Sequence, residues 1–137
     1  MELPSKTIIA SGPVIIENGK VLLNREKKSD GEEKKLFMFP GGQVEDFNIP
    51  LEETSKRESK EEMGIEIRII KPLRTLINKN TSDETKIVIL THYLAERIGE
   101  IKPGEEILEW DWFDINNLPE NCTPNVYEIL KDIKKEL

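Results

Sequence analysis

Short runs of β-branched and other apolar residues dominate the first quarter of the chain, with turn residues between them. Thr7–Ile16 and Val21–Asn24 are predicted as two strands of a hairpin. They are joined by Glu17-Asn18-Gly19-Lys20, and an Asn-Gly pair tolerates the positive φ angles that a tight hairpin turn requires. The polar segment Glu26–Lys35 is predicted as an exposed loop. Leu36–Phe39 is predicted as a short strand, which the residues Pro-Gly-Gly then end.

The pattern changes from β-branched to helical in the middle of the chain. Leu51–Met63 is rich in Glu and Lys and has no internal Gly or Pro, which predicts a helix that ends at Gly64. Pro50 suits the first turn of that helix. The β-branched residues of Ile65–Ile77 and Lys86–Ala95 predict two longer strands.

The last third of the chain is predicted to add one strand and one helix. A loop over Ile98–Glu106 precedes a strand near Ile107–Phe113, and Thr123 is predicted to cap a helix with Pro124 at its first position. The apolar residues of that helix fall on one buried stripe: Val126, Ile129, Leu130, Ile133 and Leu137. This order of elements predicts an α+β fold in which helices pack on a mixed sheet.

Length and charge restrict the class of protein. The chain has 137 residues, enough for one core and too few for two, so residues 1–137 are predicted to form one domain. Acidic residues outnumber basic residues by 27 to 20, and the net charge is −7. That sign of charge repels phosphate backbones and anionic membranes, so we expect no nucleic-acid and no membrane partner.

The compartment is also suggested by the sequence. The apolar runs are too short to span a bilayer, and Met1–Ser11 has no pattern typical of a signal peptide. The single cysteine, Cys122, excludes an internal disulfide. A cytoplasmic protein is therefore expected.

Candidate chemistry lies on the predicted middle helix. At about 100° per residue, Glu58 and Glu62 share a face with Leu51, and Glu61 borders that face. Three carboxylates within one turn repel each other unless protons or cations neutralise them. Mg²⁺ or Mn²⁺, which prefer oxygen ligands, are the natural partners.

The alternative for this helix is a solvated surface with i,i+4 ion pairs such as Glu53–Arg57. The preceding residues Pro40-Gly41-Gly42 favour the metal site, because glycine lets backbone groups approach a ligand closely.

The segment from the glycine turn to the end of the helix resembles the signature of the Nudix hydrolases. That signature is G-x5-E-x7-R-E-U-x-E-E-x-G-U, with U aliphatic, and seven of its nine defined positions match. The matching residues are Gly42, Arg57, Glu58, Glu61, Glu62, Gly64 and Ile65. The resemblance extends to the rest of the chain and implies an α/β/α sandwich with a mixed central sheet.

The chain departs from the signature in the loop and on the helix. The glycine and the arginine are separated by 15 steps instead of 14, and the first Glu of the signature falls at Asn48 or Ile49, which cannot ionise. Asp46 is the candidate to replace that Glu through a rearranged loop. Ser59 stands where an aliphatic residue is usual, which is predicted to weaken helix packing modestly.

The resemblance implies Mg²⁺-dependent hydrolysis of a nucleoside diphosphate linked to another group, with a nucleotide as the small-molecule substrate. Position in the signature assigns Glu58 and Glu62 as the principal metal ligands, and Glu61 as a further ligand or as the group that activates water. A backbone carbonyl of Gly41 or Gly42 is expected to complete the coordination.

Other residues receive supporting roles from the same resemblance. Arg57 is expected to orient the neighbouring carboxylates, and Gly42 and Gly64 are expected to be structural. Members of the family often use another carboxylate from the loop before the Trp-containing strand. Here that residue is Glu106, preferred over Glu105, as an extra ligand or general base; the alternative is a solvated loop acid.

Substrate contacts are predicted from a cation and several aromatic residues. Arg25, at the end of the second strand, is a candidate phosphate contact, and an exposed strand end is the alternative. Phe37 and Trp110 are candidates for stacking on a base, as are Trp112 and Tyr93, and core packing is the alternative for all four.

The signature leaves the substrate open among a nucleoside triphosphate, ADP-ribose, a nucleotide sugar and a dinucleoside polyphosphate. A catalytically weak or inactive nucleotide-binding module on the same scaffold is the alternative, supported by the altered loop. An acidic protein-interaction domain is a third hypothesis, which requires the whole match to be a coincidence. The family is often dimeric, so a homodimer is also considered.

Overall fold

The computed structural model describes residues 6–27, 31–79 and 86–136. Within these ranges the chain forms seven strands and two helices. They are β1 (Lys6–Glu17), β2 (Lys20–Glu26), β3 (Gly42–Gln43), α1 (Leu51–Met63), β4 (Glu66–Pro72), β5 (Leu76–Lys79), β6 (Lys86–Ile98), β7 (Ile107–Asp114) and α2 (Pro124–Glu136). No helix in this part of the chain is long and apolar enough to cross a bilayer.

The strands form a mixed sheet in the order β4-β6-β1-β2-β7, with β3 beside β1 and β5 beside β6. β1 pairs with β6 in parallel and with β2 in antiparallel orientation. The β1–β2 turn has φ angles of 52° at Asn18 and 75° at Gly19, as the Asn-Gly pair predicts. The predicted hairpin is therefore confirmed.

The two helices cover opposite faces of the sheet. Successive residues of β1 alternate between them, so Val14 belongs to the core under α2 and Ile15 to the core under α1. The predicted stripe of α2 is buried at Val126, Ile129, Leu130 and Ile133. This arrangement confirms the predicted α/β/α sandwich.

The predicted bounds of α1 are confirmed. The helix ends at Gly64, which has a left-handed φ of 67° and donates its N–H to Lys60 O at 3.1 Å. Pro50 differs from the prediction, because it lies at the N-cap with ψ 152° instead of in the first turn. Its extended conformation precedes the helix, and its carbonyl accepts the N–H of Glu53 at 3.0 Å.

The predicted strand Leu36–Phe39 is wrong. Its residues make isolated bridges to two different neighbours, Phe37 to Cys122 and Met38 to Asn24, so that no ladder propagates. The strand in this region is β3, formed by Gly42 and Gln43, which the sequence had indicated as a strand end.

The predicted strand Ile65–Ile77 is divided into β4 and β5. The pairing of β4 with β6 shifts register between Ile69 and Lys71, and the strand ends at Pro72, which has no N–H to continue a ladder.

The predicted side-chain cap of α2 is also wrong. The Thr123 hydroxyl is buried without a hydrogen-bond partner, and the backbone carbonyl of Thr123 accepts the N–H of Val126 instead. Leu137, predicted to extend the stripe, lies outside the described residues, as do residues 1–5 of the segment considered for a signal peptide.

Candidate metal and catalytic site

The acidic residues of α1 open onto a cleft of about 270 Å³ at the C-terminal end of that helix. The cleft is bounded on one side by the helix and on the other by the loop between β6 and β7. Its lining residues are Glu58, Glu61, Glu62, Gly104, Glu105 and Glu106. The structure therefore brings the predicted metal ligands together with the predicted loop acid.

The loop is fixed to α1 by the unpaired carbonyls at the end of the helix. Lys102 donates its N–H to Met63 O at 2.8 Å, and Gly104 donates to Glu62 O at 2.8 Å. A Cβ at Gly64 would lie 2.7 Å from Lys102 O. The loop can therefore pack this closely on the end of the helix only with glycine at this position, which is consistent with the structural role predicted for it. These bonds hold Glu105 and Glu106 beside the helix.

Glu62 is the most buried carboxylate of the cleft, with 7% of its surface exposed. Its Oε2 accepts the N–H of Gly41 at 3.2 Å. Burial, followed by the negative charge of Glu26, raises the pKa of Glu62 to about 9. Gly41 thus contacts the predicted ligand through its N–H; the ligand role of its carbonyl stays a prediction.

Glu58 lies against the glycine turn. A Cβ at Gly42 would collide with the Glu58 carboxylate, so only glycine lets the helix and the turn come this close. Burial raises the pKa of Glu58, and the nearby Arg57 guanidinium opposes that rise. The structural role predicted for Gly42 is consistent with this contact.

Arg57 contacts three carboxylates. Its guanidinium nitrogens lie 3.3 Å from Glu58, 3.7 Å from Glu61 and 3.7 Å from Glu45. Glu61 is the outermost of the helix acids, with 58% of its side chain exposed. This geometry suits the orienting role predicted for Arg57.

The loop before α1 uses a different acid from the one predicted. Asp46 accepts the N–H of Asn48 at 2.9 Å in a local turn. Glu45, one residue earlier, is the loop carboxylate that reaches Arg57. It also adds to the negative charge around Glu58.

Glu26 is an acid next to the cleft that sequence reasoning missed. β2 continues to Glu26, two residues beyond the predicted end, and the side chain lies within hydrogen-bonding reach of Glu62. Burial raises the pKa of Glu26, whereas Lys34, 3.7 Å away, lowers it. Glu106 also adds negative charge here. The available signal is the strand period of two, which places Leu22, Asn24 and Glu26 on one face.

The predicted substrate contacts are not brought together. Arg25 pairs with Glu109 and lies 5.8 Å from the ring of Phe37, whose own ring packs 4.9 Å from Phe113. Phe37 belongs to the core under α2, on the face of the sheet opposite the cleft. Trp110 packs on the α1 face. Core packing, the alternative for Phe37, is what the structure shows.

The residues of the cleft fit a hard divalent cation in their chemistry but are not assembled around one. Among residues 6–27, 31–79 and 86–136, no three Asp, Glu, His or Cys side chains converge as a ready-made metal site. Glu58 faces Arg57 and Glu62 faces the Gly41 amide, so side-chain rotation would be needed for both to share one ion. Carboxylate oxygens are the ligands that Mg²⁺ and Mn²⁺ prefer. Burial, with smaller contributions from neighbouring acids, raises the pKa of both Glu58 and Glu62.

Comparison with known proteins gives a consistent result. A family model described as the NUDIX domain matches residues 7–133. An ADP-ribose pyrophosphatase from Methanocaldococcus jannaschii is 35% identical over 112 residues, which cover 81% of this chain and 64% of that protein. The chain thus matches less than two-thirds of the length of this relative.

Solved structures share the fold. A MutT NUDIX hydrolase from Burkholderia pseudomallei superposes with a TM-score of 0.81 at 23% identity, covering 94% of this chain and 99% of its own. A MutT protein from Methanosarcina mazei Go1 gives a TM-score of 0.77 at 21% identity, covering 98% of both chains.

Proposed function

The chain belongs to the NUDIX domain family, and on that premise we propose that it is a divalent-cation-dependent hydrolase. The bond cleaved is the pyrophosphate linkage of a nucleoside diphosphate derivative. The observation that carries this proposal is the contact between the glycine turn and the two inward-facing acids of α1. Glu62 binds the Gly41 amide, and Glu58 fills the space over Gly42.

The electrostatics of the cleft favour a cation between the protein and its substrate. The chain carries a net charge of −7, and acidic side chains dominate the lining of the cleft. A pyrophosphate is itself negatively charged, so these carboxylates would repel it in the absence of a positive ion. The same carboxylates could hold that ion.

The residues divide into those that hold the cation and those that assist. Glu58 and Glu62 would hold Mg²⁺ or Mn²⁺, with Glu61 as a further ligand. When bound, the ion would neutralise the charge of the pyrophosphate and lower the pKa of a coordinated water molecule. Arg57 would keep Glu58 and Glu61 oriented, because it already contacts both.

Glu106 is the proposed general base. Hydrogen bonds from Lys102 and Gly104 to the end of α1 anchor its loop, and its side chain faces the cleft. Its carboxylate would accept a proton from the water that attacks phosphorus. Glu105 lines the same cleft and is the alternative.

ADP-ribose is the first substrate to test, because the curated relative at 35% identity is an ADP-ribose pyrophosphatase. Nucleoside triphosphates, nucleotide sugars and dinucleoside polyphosphates complete the panel. A binding module without turnover is the second candidate. Two observations favour it. The loop lacks the Glu expected at Asn48 or Ile49, and within the described residues the carboxylates of the cleft do not converge on one point where an ion could bind.

The deciding experiment is a hydrolysis assay over this panel with Mg²⁺ or Mn²⁺. We expect wild-type protein to release product from at least one compound. Glu62→Gln is expected to lose about 100-fold or more of that rate, because even outer-shell partners of a metal cost 10–100-fold. Glu53→Gln is the matched control on the same helix, since Glu53 is exposed and, among the residues that the structure describes, forms an ion pair only with Lys56.

Each outcome of the assay selects one of the two candidates. Equal turnover by Glu62→Gln and wild type would reject the site. Nucleotide binding without any product over the whole panel would select the binding module.

A further inference from the structure

Glu26 lies where the regular pairing of β2 ends. The register between β2 and β7 shifts between Arg25 and Glu26, so that Arg25 pairs with Glu109 and Glu26 with Ile107. The extra residue at this shift, Leu108, belongs to β7, so Glu26 keeps the alternation that places Leu22 and Asn24 of β2 on the α1 face. Here the side chain of Glu26 is directed to the face covered by α1, towards Glu62.

One oxygen of the Glu26 carboxylate lacks the hydrogen-bond partner that a buried acid usually has, although the group lies within hydrogen-bonding reach of Glu62. The Oε1 of Glu26 is buried without a hydrogen-bond partner. Its Oε2 lies 3.7 Å from Lys34 Nζ, beyond hydrogen-bonding distance. Buried polar atoms are nearly always hydrogen-bonded, so an unpartnered carboxylate oxygen calls for a specific explanation.

The backbone holds Glu26 close to the acids that line the cleft. Lys27, the next residue, donates its N–H to Glu106 O at 2.9 Å, which joins the end of β2 to the loop that lines the cleft. Gly104 in the same loop is bonded to Glu62 O. Glu26, Glu62 and Glu106 are therefore positioned from three connected elements.

We propose that Glu26 is an additional ligand of the divalent cation held by Glu58 and Glu62, and that Lys34 acts as its counter-ion when the cation is absent. The proposal rests on the proposed function, because it assumes that the acids of α1 hold a cation. Glu26 lies outside the segment that carries the family signature, so the signature assigns it no role.

A ligand and a purely structural residue respond in opposite ways to removal of the charge. Glu26→Gln keeps the shape of the side chain but removes one negative charge from the cluster. If Glu26 is a ligand, cation affinity falls, whereas the cation-free protein loses a repulsion and is at least as stable. If Glu26 only pairs with Lys34, the cation-free protein is less stable and cation affinity is unchanged.

The test uses the full chain and Mn²⁺ alone, with the free ion measured by electron paramagnetic resonance. We expect Glu26→Gln to raise the Kd for Mn²⁺ by roughly tenfold or more. The melting temperature without Mn²⁺ is expected not to fall, and the rise caused by Mn²⁺ is expected to shrink. Glu33→Gln, an exposed acid on the neighbouring segment, is the matched control and is expected to behave as wild type.

A second variant tests the same proposal through a change of the Kd for Mn²⁺ in the opposite direction. Lys34→Gln removes the counter-ion of Glu26 and is expected to lower the Kd for Mn²⁺ several-fold, by roughly the effect of one nearby charge. Lys35→Gln, exposed one residue later, is its control. This variant tests the proposal even if Glu26→Gln does not fold.

Two results would overturn the proposal: an unchanged Kd in Glu26→Gln, or a Kd in Lys34→Gln that is unchanged or raised. If Glu58→Gln and Glu62→Gln still weaken Mn²⁺ binding in that case, the proposed function stands without Glu26. If instead wild type binds Mn²⁺ through Glu26 but hydrolyses no nucleotide, the proposed function fails and the ligand assignment stands.

Discussion

The two helices have the same length, 13 residues, and cover opposite faces of one sheet, yet they bury opposite kinds of side chain. α2 buries mainly aliphatic residues: Val126, Ile129, Leu130 and Ile133, with Asn125. α1 buries mainly polar residues: Thr54, Ser55, Ser59 and Glu62, with Met63. The difference indicates that α2 mainly stabilises the fold, whereas α1 carries the carboxylates of the candidate site.

The energetic contrast follows from these side chains. Complete burial of a residue such as Leu130 contributes about 1.5–3 kcal/mol. In α1 the hydroxyls of Thr54 and Ser55 are buried without partners, at a cost of about 1–3 kcal/mol each. α1 is held instead by contacts at its two ends. Ser11 donates to Leu51 O at 2.9 Å, and Lys102 in the loop between β6 and β7 donates to Met63 O at 2.8 Å.

The largest expected effect is on the apolar helix. Leu130→Ala is expected to lower the free energy of unfolding by about 2–5 kcal/mol, because it leaves a cavity at a fully buried position. Ser59→Ala, at an equally buried position of α1, is expected to cost less than about 1 kcal/mol, since its hydroxyl makes one hydrogen bond within the described part of the chain, to Ser55 O. Urea unfolding measures both, and equal losses would contradict the contrast.

The two faces are also expected to respond to pH in opposite directions. On the α1 face, the pKa of Glu62 is raised to about 9. A carboxyl group whose folded pKa is raised stabilises the metal-free fold below its unfolded value of about 4.5, and that contribution is lost as the pH rises towards 9. The free energy of unfolding of metal-free protein, measured from pH 5 to 9, should therefore fall more steeply for wild type than for Glu62→Gln. Parallel curves would contradict the prediction.

On the α2 face, burial lowers the pKa of His92. Its Nδ1 donates to Arg74 O at 2.9 Å, and its Nε2 accepts from Asn125 of α2 at 3.0 Å, so protonation would remove the acceptor. The stabilisation is present above the unfolded value of about 6.5 and is lost as the pH falls through the lower folded pKa. His92→Gln should lose this acid sensitivity between pH 7.5 and 5.5, as monitored by thermal melting. A variant as acid-sensitive as wild type would show that another group is responsible.

The smallest expected effect concerns a single hydroxyl. Thr54→Val replaces a buried hydroxyl that has no partner by a methyl group and is expected to stabilise the protein by about 1 kcal/mol. Thr91→Val is the matched control, because the Thr91 hydroxyl donates to Ala10 O at 3.1 Å, and this variant is expected to lose about 1 kcal/mol. The free energy of unfolding is measured with urea. If both variants raise it, or both lower it, the interpretation that α1 buries an unpartnered Thr54 hydroxyl is contradicted.

The contrast between the helices also explains what the sequence can predict. α2 is predictable because its apolar residues repeat with the helical period. The β1–β2 hairpin is predictable because Asn18-Gly19 tolerates the positive φ angles of a tight hairpin turn. α1 has almost no apolar stripe, and its bounds are predicted by the absence of breakers and by Gly64. Local rules suffice for these elements.

The remainder depends on contacts between distant segments. Glu26 follows the predicted end of a strand and begins a polar stretch, so a local pattern assigns it to an exposed loop. Its place beside the cleft depends on distant segments, such as the β6–β7 loop, in which Glu106 O accepts the N–H of Lys27. One of the two bridges that replace the predicted strand at Leu36–Phe39 joins Phe37 to Cys122, more than 80 residues later. The separation of Arg25 and Phe37 from the cleft likewise follows from the face of the sheet on which each lies.

The central claim is that the acids of α1 hold a divalent cation, and a crystal soaked in Mn²⁺ tests it most directly. We expect an anomalous Mn²⁺ peak within about 2.5 Å of carboxylate oxygens of both Glu58 and Glu62. That result requires Glu58 to turn away from Arg57. A fully soaked crystal in which Mn²⁺ binds elsewhere, with Glu58 still paired to Arg57 and Glu62 still bound to the Gly41 amide, would contradict the account.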